Sequence, residues 1–317
     1  MVATNRPLAG HAPRVIAVRP VKLVSDFDGV WTLPDDEARA QGEVLDRALA
    51  GWLPEAERVA AADWIRAARA AVLRTPGHWG WAVDGRLSAF ADEDPFVRHS
   101  ALLHYVSVHA ADDPMAAKLE AAVRANGHEG LDAFGGWSHA EGVRRVAATR
   151  GPGILPESAA AGRAMLGAGV EIAVVSNSGT DKLAAWFGHS GVPARVHPER
   201  AAGALRLRGS ARKFILDPAR SDTIELGGLR FETARPSYEA VLRDEMPGAV
   251  VGDVFSLDLA LPLALKRREK GFAHMRLFWL MRDYTPRWLR EALEPALDGD
   301  VEMIEGGLGG VAEVLRG

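Results

Sequence analysis

A short β-branched run, Val21-Lys22-Leu23-Val24-Ser25, stops abruptly at Asp26-Phe27-Asp28-Gly29, and more than a hundred residues pass before the chain offers another run like it. The later runs are Ile172 to Val175, Ala249 to Val251 and Met275 to Leu280, with Val301 to Ile304 as a fifth. Helical segments separate them. Strands that alternate with helices build a mostly parallel sheet covered on both faces, so the expected fold is α/β, a Rossmann-like three-layer sandwich. A βα connection takes about two to six residues. The stretch between the first two strands is therefore an insertion with a purpose of its own.

Within that insertion Ala61, Trp64, Ile65, Ala68 and Val72 recur at steps of three and four, as a one-sided helix requires. Met115, Leu119, Ala122 and Val123 repeat the pattern, and Asn126-Gly127 supplies a helix stop. Residues 35–150 read as an inserted, mainly helical domain, with 1–34 and 151–317 forming the sheet domain. Residues 1–20, carrying Pro7, Pro13 and Pro20, read as an extended lead-in. After Gly191, the segments Leu205-Arg206-Leu207-Arg208, Ile224-Glu225-Leu226 and Leu229-Arg230-Phe231-Glu232 alternate apolar and polar, which predicts short antiparallel strands decorating the sheet.

Three segments carry chemistry. In the loop beyond the first strand, Asp26 and Asp28 at i and i+2 can face one site while Gly29 relieves the turn. Two such acids can divide the labour of nucleophile and proton shuttle; an Asx-type turn capping backbone amides is the plainer reading. The strand Ile172 to Val175 ends in Ser176-Asn177-Ser178; the Ser176 hydroxyl, the Asn177 amide and the fresh backbone N–H groups suit phosphate oxygens but also suit an ordinary helix start. In Gly252-Asp253-Val254-Phe255-Ser256-Leu257-Asp258, Asp253 and Asp258 again follow an apolar run. Gathering them beside Asp26 and Asp28 crowds anions unless a cation sits among them, and oxygen-only ligands favour Mg²⁺.

Composition excludes several alternatives. The net charge of −4 and a pI near 6.2 leave no basic footprint, so neither nucleic acid nor an anionic membrane is an expected partner. With no cysteine, disulfides, thiolate metal sites and a cysteine nucleophile are ruled out, which fits a reducing compartment. The longest stretch without Asp, Glu, Lys or Arg runs from His99 to Ala111, too short for a spanning helix, and no signal-peptide-length apolar run opens the chain. A cytoplasmic location is the expectation; oligomeric state has no signature. His99, His104 and His109 recur every five residues, a spacing that spreads them around a helix and gathers no metal site. Trp64 reads as core, and His78-Trp79-Gly80-Trp81 as a packing anchor before a substrate contact.

The three segments, in this order at the ends of three predicted strands, resemble the haloacid dehalogenase (HAD) superfamily of phosphohydrolases. Its DxDx(T/V) motif is matched by Asp26, Phe27, Asp28, Gly29 and Val30; its strand ending in Ser or Thr by Ser176; its GDxxxxD motif by Gly252, Asp253 and Asp258. The resemblance implies that the insertion is a C1-type cap closing over the site. It also implies a Mg²⁺-dependent phosphatase acting on a small phosphorylated metabolite, a phosphate ester. Asp26 would attack phosphorus, and Asp28 would serve as acid and then base. The metal would be held by Asp26, the Asp28 carbonyl and Asp253, with Asp258 in support. Ser176, Asn177 and a cation would hold the phosphoryl oxygens. The family's lysine is absent from its usual Lys-Pro pair, where Arg235-Pro236 stands; Arg235 is the expected substitute, nearer Asp26 than the competing Lys213, which reads as a solvated strand residue. The second aspartate, Asp28, disfavours the dehalogenase branch. A phosphomutase, and a catalytically weak binding or regulatory protein on the same scaffold, are the alternatives. The displaced lysine and the bulky Trp31 beside the first motif feed the latter.

Overall fold

The structure, a computed structural model, describes residues 21–151 and 153–316. The lead-in expected over residues 1–20 lies outside them. Strand β1 (Lys22–Ser25) opens the sheet and is followed by α1 (Asp35–Gly51), α2 (Arg58–Arg74), the hairpin β2 (Gly80–Val83) and β3 (Arg86–Phe90), then α3 (Val97–His109), α4 (Pro114–Ala125) and α5 (Leu131–Arg150). The chain returns through α6 (Pro156–Gly167), β4 (Glu171–Val175), α7 (Thr180–Gly188), β5 (Ala194–Val196) and β6 (Leu205–Arg208). A second hairpin, β7 (Thr223–Leu226) and β8 (Leu229–Glu232), precedes α8 (Pro236–Glu245), β9 (Ala249–Gly252), α9 (Ala260–Arg268), β10 (Arg276–Leu280), α10 (Arg287–Leu293), β11 (Val301–Ile304) and α11 (Gly307–Arg316).

Seven strands form one sheet in the order β11-β10-β9-β1-β4-β6-β5, every neighbouring pair parallel. This is the expected Rossmann-like α/β architecture. Strands β4, β9 and β10 read as nearly continuous apolar runs because both faces are covered. Their alternation divides the core: Val24, Val250 and Leu277 pack on one side of the sheet, and Leu23, Val251 and Phe278 on the other. Strand β1 lies between β4 and β9, with Ser25 opposite both Val174 and Val251. The chain order reverses there, which opens a crevice at the carboxyl ends of the central strands.

The inserted helices have their own cluster, including Leu45, Leu49, Ile65, Leu102, Leu119 and Phe134. Trp64 is only partly buried against it, and its indole N–H donates to Asp113 Oδ2 at 2.8 Å. The insertion is not helical throughout. Its β2–β3 hairpin reaches the sheet domain, where Phe90 packs edge-on against Phe231 and Trp288.

One expectation needs correction. Leu205 to Arg208 is not an antiparallel decoration but β6, a parallel strand between β4 and β5. Its alternation misleads because the polar positions are not solvated: Arg206 pairs with the buried Glu245 (Nε to Oε1 3.0 Å) and Arg208 with Asp244 and Glu245. The short β5 has no clear sequence pattern. The segments over 223–232 do form an antiparallel hairpin.

Candidate active site

Asp26 emerges where β1 ends, its backbone N–H held by the Val251 carbonyl of β9 at 2.9 Å. Asp253 follows β9, and Asp258 sits on a wide π-helical turn over Phe255–Leu259. The carboxylate oxygens of Asp26, Asp253 and Asp258 lie within 4.8 Å of one another. Two glycines allow this approach. Gly29 has φ +78°, and a Cβ there would overlap the Asp253 carboxylate and the Tyr284 hydroxyl; a Cβ at Gly252 would strike the Asp258 side chain.

Burial, reinforced by the Asp258 charge, raises the Asp26 and Asp253 carboxyls well above the usual range. One cation offsets this. The Lys213 ammonium donates to Asp26 Oδ1 at 2.5 Å and to Asp258 Oδ1 at 2.8 Å. Burial alone would discharge it, but Asp258 and Asp26 hold it above the usual lysine range. Asp258 Oδ2 accepts from Val254 N, and Asp253 Oδ2 accepts from the Tyr284 hydroxyl at 2.6 Å. Asp253 Oδ1 is buried without a partner among the described residues. An oxygen-only set with an unmatched buried carboxylate oxygen fits a hard divalent cation such as Mg²⁺. A second group, His197, Asp244 and Glu245, does not make the same case, because its carboxylates are already paired with Arg206 and Arg208.

The Asp28 carboxylate turns away from the three converging acids. Oδ2 accepts from Ser178 Oγ at 2.9 Å, and Oδ1 lies 3.5 Å from Lys182 Nζ, which also donates to Glu37 Oε2 at 2.8 Å. Burial works against the Lys182 charge, but Asp28 and Glu37 keep it above the usual range, and the ammonium lies over the Trp186 ring, 4.9 Å from its centroid. Asp26 and Asp28 thus occupy different electrostatic surroundings, one among acids and the other on the side of the inserted helices.

Ser176 is buried, its Oγ accepting from Ser178 N at 3.0 Å. Asn177 Oδ1 accepts from the Lys213 backbone N–H at 2.7 Å, so this side chain positions the lysine loop. The loop itself is laid along β4: Ser176 N donates to Arg208 O, and Ala211 N to Ser176 O.

Arg235 is not the cation at Asp26, and the expectation that it lies nearer than Lys213 is reversed. Its guanidinium donates to Ser88 Oγ (2.8 Å), Ser88 O (2.6 Å), Glu232 O (3.1 Å) and the Lys213 carbonyl. Pro236 does open α8 as expected, but Arg235 turns toward the β2–β3 hairpin, where it serves the Ser88 carbonyl together with those of Lys213 and Glu232. Nor is Lys213 a solvated strand residue. It lies in the loop after β6 and is 1% exposed.

Trp31 also points away from the site. It is fully buried, donates to Ser25 Oγ at 2.9 Å and packs edge-on against Phe187. Trp81 stacks on Phe214, next to Lys213, with ring centroids 4.2 Å apart, in keeping with an anchor. The three histidines of α3 meet different partners: His99 the Ala38 carbonyl, His104 the Trp79 ring, and His109 the Tyr105 ring.

Sequence reasoning missed Ser178, Lys182, Tyr284, Glu37 and Asp94. A first-turn lysine after a strand-end Ser-Asn-Ser was a usable signal for Lys182; the others depend on loops far apart in the chain. Asp94, between β3 and α3, has its carboxyl raised to about 7 by burial and by the charges of Asp28, Asp26 and Asp258. Its neighbour Glu93 ties the loop to the sheet domain by accepting from Ser256 N at 2.9 Å.

No protein-family model and no curated protein matches the chain. Among solved structures it is similar to one described as a dehalogenase, at 12% identity and TM-score 0.39, covering 95% of this chain and 100% of that one. A 2-haloacid dehalogenase from Pseudomonas syringae pv. Tomato DC3000 aligns at 17% identity and TM-score 0.38, covering 94% and 98%. The HAD-hydrolase YfnB from Bacillus subtilis, in a structure bound to magnesium, aligns at 12% identity and TM-score 0.36, covering 87% and 100%. Among the described residues no helix is long and apolar enough to cross a membrane. The segments carrying Asp26 and Asp28, Ser176, and Asp253 and Asp258 lie at the carboxyl ends of the adjacent strands β1, β4 and β9 of a parallel sheet. The fold is a Rossmann-like α/β sandwich with a long insertion after its first strand.

Proposed function

We propose that this chain is a Mg²⁺-dependent phosphohydrolase acting on a small phosphorylated metabolite through an aspartyl-phosphate. The observation that carries the reading is the separation of the two carboxylates: Asp26 among Asp253, Asp258 and Lys213, and Asp28 among Ser178, Lys182 and the inserted helices. Asp26 attacks phosphorus in line, forming one P–O bond as the ester P–O bond breaks. Asp28 gives its proton to the departing alkoxide and then takes one from the water that releases inorganic phosphate. Lys213 and the Ser176 hydroxyl steady the phosphoryl oxygens, and Asn177 holds the lysine loop in place. Asp26 and Asp253, supported by Asp258, would hold Mg²⁺, which would supply charge neutralisation at the phosphoryl group.

Two observations had favoured a weak binding or regulatory protein, and neither now supports it. A lysine does face Asp26, and Trp31 is packed behind the loop. The test is hydrolysis of an aryl phosphate with and without Mg²⁺, beside halide release from a 2-haloacid and isomerisation of a sugar phosphate. Metal-dependent phosphate release, lost in Asp26→Asn, is the expected result. Halide release without phosphatase activity points to a dehalogenase, isomerisation to a mutase, and no turnover to the binding protein.

A further inference from the structure

We propose that Glu37 and Gln41 of α1 line the leaving-group pocket and select an uncharged, hydroxyl-rich alcohol; the proposal rests on the phosphohydrolase reading. The two residues are one helical turn apart and share a face of α1. Both are buried, at 3% and 4% exposure. Glu37 Oε2 accepts from Lys182 at 2.8 Å, and Lys182 Nζ lies 3.5 Å from Asp28 Oδ1. That puts this helix face beside the carboxylate assigned to protonate the departing oxygen.

Glu37 Oε1 and Gln41 Oε1 have no hydrogen-bond partner among the described residues. Buried polar atoms are matched in the great majority of cases, and two unmatched acceptors on one face of α1, with Glu37 linked through Lys182 to Asp28, call for donors from a ligand. Rotating the Gln41 amide would offer an NH₂ in place of the oxygen and would still call for a polar partner. A hydroxyl-rich alcohol meets both demands. A carboxylated or doubly phosphorylated alcohol does not, because Lys182 is already shared between Asp28 and Glu37, and Asp94 adds a further acid. An apolar alcohol leaves the acceptors unmet, the situation in which sites discriminate most strongly.

The experiment compares kcat/KM of the wild-type protein with Mg²⁺ for a hexose 6-phosphate, 3-phosphoglycerate and p-nitrophenyl phosphate, then repeats it with Gln41→Leu and Glu37→Met. The hexose ester should exceed the carboxylated one by at least about tenfold. Each substitution should lower the ratio of hexose to aryl phosphate by about tenfold, the effect of one hydrogen bond to the leaving group. Preference for the carboxylated ester, or an unchanged hexose-to-aryl ratio in both variants, overturns the proposal. If both variants fail to fold, the wild-type ranking alone decides. Absence of turnover on all three phosphates defeats the phosphohydrolase reading instead, a distinct outcome.

Discussion

Replacing Arg235 by Met should damage the fold far more than the chemistry. The guanidinium has no exposed surface and donates to the carbonyls of Ser88, Lys213 and Glu232 and to the Ser88 hydroxyl. A buried acceptor stranded without its donor costs about 1–3 kcal/mol, so three carbonyls sum to about 3–9 kcal/mol. Part of this is offset. Burial already strains the charge, pushing the guanidinium down to about 10, and a methionine side chain restores apolar packing. The expected net loss is about 3–5 kcal/mol, typical of breaking a buried charged network. For a protein of this size that lowers the melting temperature by about 5–8 °C. Arg235→Lys keeps the charge without the fork and should fall between. Below the melting point, kcat on an aryl phosphate should stay within about tenfold of wild type, because Asn177 still holds the Lys213 backbone at 2.7 Å. The assay is urea or thermal unfolding beside steady-state kinetics. A variant as stable as wild type but more than about a hundredfold slower would mean that Arg235 acts on the substrate, and the reasoning would be wrong.

Asp26→Asn should reduce phosphate release by at least about 10³-fold, while circular dichroism and melting show an intact fold, since the substitution removes a carboxylate buried beside Asp258 and Asp253. Lys213→Met should lower kcat by about 10²–10³-fold, the usual loss when one preorganised charge stabiliser is removed; near-normal kcat would exclude it from the phosphoryl site. Stability should also fall in acid through His99, whose Nε2–H donates to Ala38 O at 2.7 Å while burial, and then Arg69, lower its pKa from 6.5 to about 4. A depressed folded value contributes stability that is complete above pH 6.5 and lost as pH falls toward 4. The loss is about 3 kcal/mol, and urea midpoints at several pH values in His99→Gln should show a flatter slope across that window.

Much of this architecture was legible because it is written locally. Apolar runs such as Ile172 to Val175 and Ala249 to Val251 read as strands because a parallel sheet buries both faces, and Ala61, Ile65, Ala68 and Val72 read as a helix face because one stripe meets a core. Asp26, Asp28, Ser176 and Asp253 were found because each follows its own strand by one to three residues, and a strand's end fixes where the next side chains go. Lys213 was misplaced because nothing near it in sequence says that its loop is laid along β4 by Ser176 and Asn177. Leu205 to Arg208 was misread for a related reason: alternation reports that one face is polar, while whether that face meets water or Glu245 depends on α8, some forty residues on. Arg235 occupies a familiar position before Pro236, yet its direction is decided in part by the Ser88 carbonyl and hydroxyl of a hairpin about 150 residues earlier in the chain. Sequence alone determined the central strands and the acids at their ends, since those follow from short-range periodicity. Only the tertiary structure decided which cation meets which acid, because a buried charge goes wherever the folded backbone leaves it partners.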